Sequence, residues 1–307
     1  MRDRCVALLE PAILASANPV VVDCTLGLGG HTEALLERFS NLTVIGIDRD
    51  EIALERARKR LAPFGDRIKT AHAVFDEITD VVEGFGYSKI SGALFDLGVS
   101  SIQLDEADRG FSYSQDAPLD MRMDRSRGIT AADIVNTYEP GKLVHILRAY
   151  GEEKFATRIV ENIVKAREVA PLNSTEQLAD LVKRSIPAAT RRTGGNPSKR
   201  TFQALRIEAN DELGAIERAL PQALDLIEVG GRVVVMSFQS LEDRIVKEIF
   251  TEASTSKSPR ELPVELPEYA AKFSLVFRSS EKPSEAEVLE NSRAASVRLR
   301  AIERVAA

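Results

Sequence analysis

Apolar residues recur along this chain in two rhythms, and the alternation between them lays out the fold. Val6, Leu9 and Ile13 fall at helical spacing and predict an amphipathic helix over residues 3–15. Val20, Val21 and Val22 form a continuous β-branched run, as expected of a strand buried on both faces, and the run ends in Asp23. Gly27, Gly29 and Gly30 make a turn, and from His31 to Phe39 the spacing is helical again. Val44–Ile47 predicts a second strand ending in Asp48, and Glu51–Leu61 a helix. Ile68–Ala71 predicts a third strand with Phe75 and Asp76 just past its end, and Ile90–Asp96 a fourth. Strands alternating with helices of roughly 10–15 residues imply a parallel α/β sheet.

After Gln103 this order breaks. Residues 108–124, DRGFSYSQDAPLDMRMD, have no sustained period and read as a long loop, the kind that is usually functional when ordered. From Ala131 to about Ile186 the spacing is helical throughout, closed by the basic, glycine-containing stretch TRRTGGNPSKR. Phe202–Leu226 predicts one long helix, Gly230–Phe238 a fifth strand and Leu241–Phe250 a helix. A Pro- and Ser-rich loop then leads to Phe273–Phe277 and Ala295–Ile302, which alternate like a closing antiparallel pair. The expected fold is α/β: a Rossmann-like, seven-stranded, doubly wound sheet with an inserted helical subdomain. The expected division is 1–104 and 201–307 for the sheet domain, with the insertion at 105–200.

Composition narrows the function classes. A 44% hydrophobic and 29% charged content is that of a soluble globular protein with a sizeable core. No apolar run approaches the ~20 residues of a membrane helix, and the N-terminus lacks a signal-peptide core, so a cytoplasmic protein without membrane contact is expected. The two cysteines, Cys5 and Cys24, fit reduced structural thiols. The three histidines are scattered, so no metal site is expected. Net charge is −6, yet Lys183, Arg184, Arg191, Arg192, Lys199, Arg200 and Arg206 form a basic island free of acids. Such an island on an acidic body suits local phosphate contact, and a solvated helix face with a loop is the plain alternative.

The chemistry concentrates at strand ends. In parallel α/β sheets ligands bind outside the carboxyl ends of the strands, and Asp23, Asp48, Phe75 and Asp96 all lie there. The glycine turn fails the G-x-G-x-x-G dinucleotide fingerprint because Thr32 holds the last position, and there is no P-loop. What remains, D-x-x-x-G-x-G-G with an acid at Asp48, resembles the first two motifs of class I S-adenosylmethionine-dependent methyltransferases. Backbone N–H groups at the helix start and an acid for ribose hydroxyls are the physical basis of that pattern. Phe75 fits adenine packing or an ordinary core aromatic.

Seven blocks carry a closer likeness: DCTLGLGGHT, GIDRD, FDLGVSSIQLDEADRGFSY with PLDMRMD, YGEEKFATRI, SKRTFQALRI, SFQSLEDRIVK and ENSRAASVRLRAIER. On these the chain resembles the RsmH (MraW) family of bacterial 16S rRNA cytosine-N4 methyltransferases over almost its whole length. The resemblance implies methyl transfer from S-adenosylmethionine to N4 of a cytidine in the decoding (P-site) region, on 16S rRNA within the assembled small subunit. By motif, cofactor contacts fall to Gly29, Gly30, His31, Asp48, Phe75, Asp96 and Gln103. The chain departs from the family at Gln239 and Asn196, each in place of a histidine, and at Ala295 in place of an arginine. It also begins at MRDRC, after the family's His-containing N-terminal segment.

Cytosine's exocyclic amine is a poor nucleophile, so the reaction needs a positioned acceptor that takes up developing charge. Asp96 is the candidate catalytic group, and binding the cofactor's amino group is its rival role. The target base must leave its stack. Phe111 and Tyr113 are candidates to stack on it, and Arg109, Arg122, Lys199, Arg200 and Arg206 to contact phosphates. A methyltransferase acting on another substrate class, and a non-catalytic RNA-binding factor, remain the alternatives. The oligomeric expectation is a monomer or homodimer.

Overall fold

Seven strands form one sheet in the order β3-β2-β1-β4-β5-β7-β6. In the computed structural model, which describes residues 1–99, 103, 106–188, 196–259 and 269–307, they are β1 Val20–Asp23, β2 Thr43–Asp48, β3 Ile68–His72, β4 Ile90–Asp96, β5 Ile227–Ser237, β6 Phe273–Leu275 and β7 Arg298–Arg304. The first five run parallel, and β7 pairs antiparallel with both β5 and β6. That is the doubly wound order with a reversed last strand. Arg191, Arg192, Ser100, Ser101 and the Pro-rich loop over 260–268 lie outside the described residues.

The apolar runs make the sheet two-faced. Val22, Ile45, Ala93, Phe95, Val233 and Val235 share one core with α4 (Ile78–Gly84), α10 (Glu212–Leu226) and α11 (Ser240–Ala253). Their strand neighbours Val21, Val44, Leu94, Val234 and Met236 share another with α1 (Arg2–Ala15) and α2 (Gly30–Arg38). Period-2 side chains with both faces buried explain the continuous valine runs. Leu54, Ala57 and Leu61 of α3 (Glu51–Leu61) close over Leu26.

These elements form one unit, Met1–Gly98 with Leu213–Ala307. The second unit, Val99–Glu212, holds α5 (Ala131–Thr137), α6 (Pro140–Ala149), α7 (Ala156–Val169), α8 (Thr175–Ser185) and α9 (Lys199–Asn210) around its own apolar core. Its helix starts are written in the sequence: Thr130 with Asp133, and Ser174 with Gln177, form reciprocal capping boxes. The insertion is thus wider than the expected 105–200. The single long helix expected over 202–226 is two, broken at Asp211, which sits at φ 48° and ψ 42°. Aspartate tolerates the left-handed region better than most residues, and no glycine or proline marks the break. Among the described residues no helix is long and apolar enough to cross a membrane.

Candidate active site

The C-terminal ends of β1, β2 and β4 meet at the glycine turn. Gly29 adopts φ 77° as the residue before α2, and a Cβ there would lie 2.9 Å from the Leu61 side chain. Position 29 therefore needs glycine for both conformation and space. Asp23, fully buried, accepts from the Thr32 hydroxyl at 2.7 Å and the Thr25 N–H at 3.3 Å. Burial pushes its carboxyl up, while His31 and these donors pull it back without cancelling the rise. Asp23 is thus the brace of the turn.

Asp48 accepts the N–H of Gly27 through Oδ2 at 2.7 Å and of Asp50 through Oδ1 at 2.8 Å. Each oxygen keeps a lone pair for a further donor. Burial pushes this carboxyl up to about 6, against the two backbone hydrogen bonds. Phe75 lies in the short 3₁₀ turn after β3, edge-on to Phe95 at 5.8 Å, with the Arg49 guanidinium 5.6 Å from its ring centre.

At the tip of β4, the Asp96 N–H donates to Thr25 Oγ1 at 2.7 Å, and Asp96 Oδ2 lies 3.5 Å from His31 Nε2. Asp96 Oδ1 and His31 Nδ1 are buried and have no partner among the described residues. Burial lowers the His31 pKa, but the hydrogen bond and charge of Asp96, with the charge of Asp23, more than offset it, so it is raised overall. Sequence reading missed Thr25, Thr32 and Arg49. The D-x-T spacing of Asp23 and Thr25 was the available signal, since an aspartate commonly accepts from the N–H two residues on.

The helical unit distributes its candidates differently. Arg109 is buried and donates through Nη2 to the carbonyl oxygen of Met123 at 2.8 Å. Arg122 forms a two-pronged pair with Asp120 at 2.6 and 3.0 Å, joined by Arg125 at 3.3 Å. Burial alone would raise Asp120; the arginines hold it below its usual range. Arg206 pairs in the same way with Glu212 at 2.8 and 3.0 Å. Phe111 belongs to the apolar core, and Tyr113 packs edge-on to Phe202 at 5.7 Å. Four of the expected RNA contacts, Arg109, Arg122, Arg206 and Phe111, are therefore engaged within the unit. Lys199 and Arg200 are exposed on the first turn of α9, as are Lys183 and Arg184 on the last turn of α8. Gln103 is buried in this unit. Asn196 is exposed, its Oδ1 accepting from the Ser198 N–H.

Gln239 precedes α11, where Glu242 Oε2 accepts the N–H of Phe238 and Gln239 at 2.8 and 3.0 Å. Cys5 and Cys24 are free and buried, and burial raises both thiols. Among the described residues no cluster of acids, histidines and cysteines is fit to hold a metal.

The residues present fit S-adenosylmethionine: a glycine turn feeding a helix N-terminus and, at the tip of β2, a carboxylate with lone pairs to spare. A sequence model of the MraW methylase family matches residues 1–305. The ribosomal RNA small subunit methyltransferase H of Renibacterium salmoninarum is 56% identical over 309 residues, covering 99% of this chain and 93% of the relative. That of Streptomyces avermitilis is 54% identical over 305 residues, covering 99% and 96%. Among solved structures, an rRNA methylase from Streptococcus thermophilus covers 98% of this chain and 95% of its own at 12% identity and a TM-score of 0.44. The chain belongs to the MraW methylase family and is an S-adenosylmethionine-dependent methyltransferase.

Proposed function

We propose that this enzyme methylates 16S rRNA in the small ribosomal subunit, at the exocyclic N4 of a decoding-region cytidine. The names of its relatives support the RNA class. The observation that carries the N4 reading is the buried Asp96 Oδ1, an acceptor without a donor at the tip of β4 among the described residues. An amine that must shed a proton as it is methylated supplies that donor. S-adenosylmethionine brings an electrophilic methyl group. In this reading Gly29 and Gly30 line the cofactor's amino-acid end, Asp48 accepts the ribose hydroxyls and Phe75 packs on the adenine. Lys199 and Arg200, with Lys183 and Arg184, contact phosphates, while Arg109, Arg122 and Arg206 hold the frame that presents them.

The deciding experiment is transfer of labelled methyl to small subunits purified from a bacterial strain lacking its own copy of this gene. Modification of one cytidine at N4 is the expected result. A methyl group on another atom or another RNA would overturn the assignment.

Ribose hydroxyls donate best to a carboxylate, so the affinity for S-adenosylhomocysteine should fall as pH drops through about 6, where Asp48 takes up a proton. Below that point the loss approaches tenfold per pH unit, about 1.4 kcal/mol. Calorimetry on the Asp48→Asn variant should show this acid limb flattened. Asp48→Ala should weaken binding roughly ten- to hundredfold, the worth of hydrogen bonds to a charged group. Separately, Lys199→Glu with Arg200→Glu should leave cofactor binding unchanged and weaken RNA binding. The salt dependence should also become shallower by about one unit of log–log slope per lost contact. Unchanged RNA affinity would remove α9 from the interface.

A further inference from the structure

Asp96 has two oxygens with different surroundings, and that asymmetry deepens the reading of Asp96 as the amine acceptor and rests on it. Its backbone is pinned, the N–H tied to Thr25 Oγ1 at 2.7 Å, so only the side chain can turn. His31, in the first turn of α2, brings Nε2 to 3.5 Å from Oδ2. The contact is long for a hydrogen bond, and catalytic contacts commonly tighten once ligands are bound. Oδ1 is the oxygen left buried and unpartnered among the described residues. A buried acceptor in that condition is costly unless a ligand supplies its donor.

We propose that His31 is a positioning residue of the reaction: it holds Oδ2 of Asp96 so that Oδ1 is the oxygen offered to the target amine. The N4–methyl bond forms as the sulfur–methyl bond breaks, its electron pair staying on sulfur. One N4 proton passes to Oδ1.

The charge environment suits the role. Asp96 on β4 and Asp23 on β1 favour the imidazolium, while burial and the chain's N-terminal ammonium oppose it. Cys5 on α1 is kept as the neutral thiol by burial, and Glu33, in the same turn as His31, is occupied by Arg60. The net balance favours the imidazolium, whose N–H faces Oδ2 of Asp96. The imidazolium's hold on Oδ2 therefore weakens as pH rises past the raised His31 value.

The test compares wild type, His31→Ala and His31→Gln in single-turnover methyl transfer to small subunits at saturating cofactor, with calorimetry of S-adenosylhomocysteine binding. His31→Ala should lose roughly 10²-fold in rate, the scale of a misplaced reacting group. Its affinity for S-adenosylhomocysteine should change little. The glutamine amide can donate to Oδ2 but does not titrate. His31→Gln should therefore recover much of the neutral-pH rate and lack the alkaline fall of wild type, a readout that survives even where the alanine variant folds poorly. Weakened cofactor binding with the saturated rate intact would make His31 a cofactor ligand and overturn the proposal. A wild-type alkaline limb retained in His31→Gln would also overturn it. Absence of methyl transfer by wild type would instead overturn the substrate reading beneath it.

Discussion

Replacing Asp96 by asparagine is expected to slow methyl transfer roughly 10²–10⁴-fold, the range of a lost general base. S-adenosylhomocysteine binding should stay within about threefold of wild type, under 1 kcal/mol. Asparagine has the shape of aspartate, and the backbone bond to Thr25 Oγ1 does not involve the side chain. The variant must therefore fail through chemistry. With its amide oxygen turned to His31 Nε2, the introduced asparagine would present an NH₂ group where Oδ1 now lies, and a donor would face the donating amine. With the amide reversed, an NH₂ would face His31. Neither arrangement can take a proton from N4. Single-turnover rates beside calorimetric binding separate this role from its rival. A collapse of cofactor affinity with the saturated rate preserved would place Asp96 on the cofactor's amino group.

The sheet and the edge where its carboxylates gather were legible because their signals are local. Apolar runs ending in Asp23, Asp48 and Asp96 mark buried parallel strands whose tips carry polar groups, and the structure puts those tips beside one glycine turn. The insertion was legible as helices but not in extent. The break at Asp211 is a backbone choice at an aspartate, and nothing in the helical period of the flanking residues announces it.

The basic residues were the least legible. Arginine in a sequence is a charge without a partner, and the partner decides its role. Asp120 lies two residues from Arg122 and Glu212 six from Arg206, close enough to suspect pairing, yet burial of those acids turns suspicion into a fixed frame. Lys199 and Arg200, at a helix start, have no acid beside them in sequence and stay exposed. The difference between the two groups is thus physical: Arg122 and Arg206 are neutralised by buried acids, whereas Arg200, exposed at a helix start, donates to the uncharged Glu152 carbonyl.

The frame itself makes the second large prediction. Gly110→Ala should destabilise the helical unit by about 2–4 kcal/mol, from a left-handed backbone combined with a clash. Gly110 sits at φ 73°, and a Cβ there would lie 2.3 Å from the Pro118 carbonyl oxygen and 3.0 Å from the Asp120 nitrogen. Those are backbone atoms, and their segment cannot easily retreat. The Leu119 N–H donates to the Asn173 carbonyl, that of Ala131 to the Asp120 carbonyl, that of Ala132 to the Leu119 carbonyl and that of Met121 to the Arg109 carbonyl. Any shift that relieves the clash breaks part of this net and disturbs the Asp120–Arg122 pair. Gly128→Ala is the matched control, because Gly128 shares the positive φ, at 82°, and a Cβ there meets nothing within 4 Å. It should cost only the conformational part, about 1–2 kcal/mol. Thermal unfolding of both variants, with hydrogen exchange at the Ala131 and Ala132 amides, gives the difference directly. Equal losses would mean that the loop yields freely, and that residues 108–124 are not the rigid frame on which Lys199 and Arg200 depend.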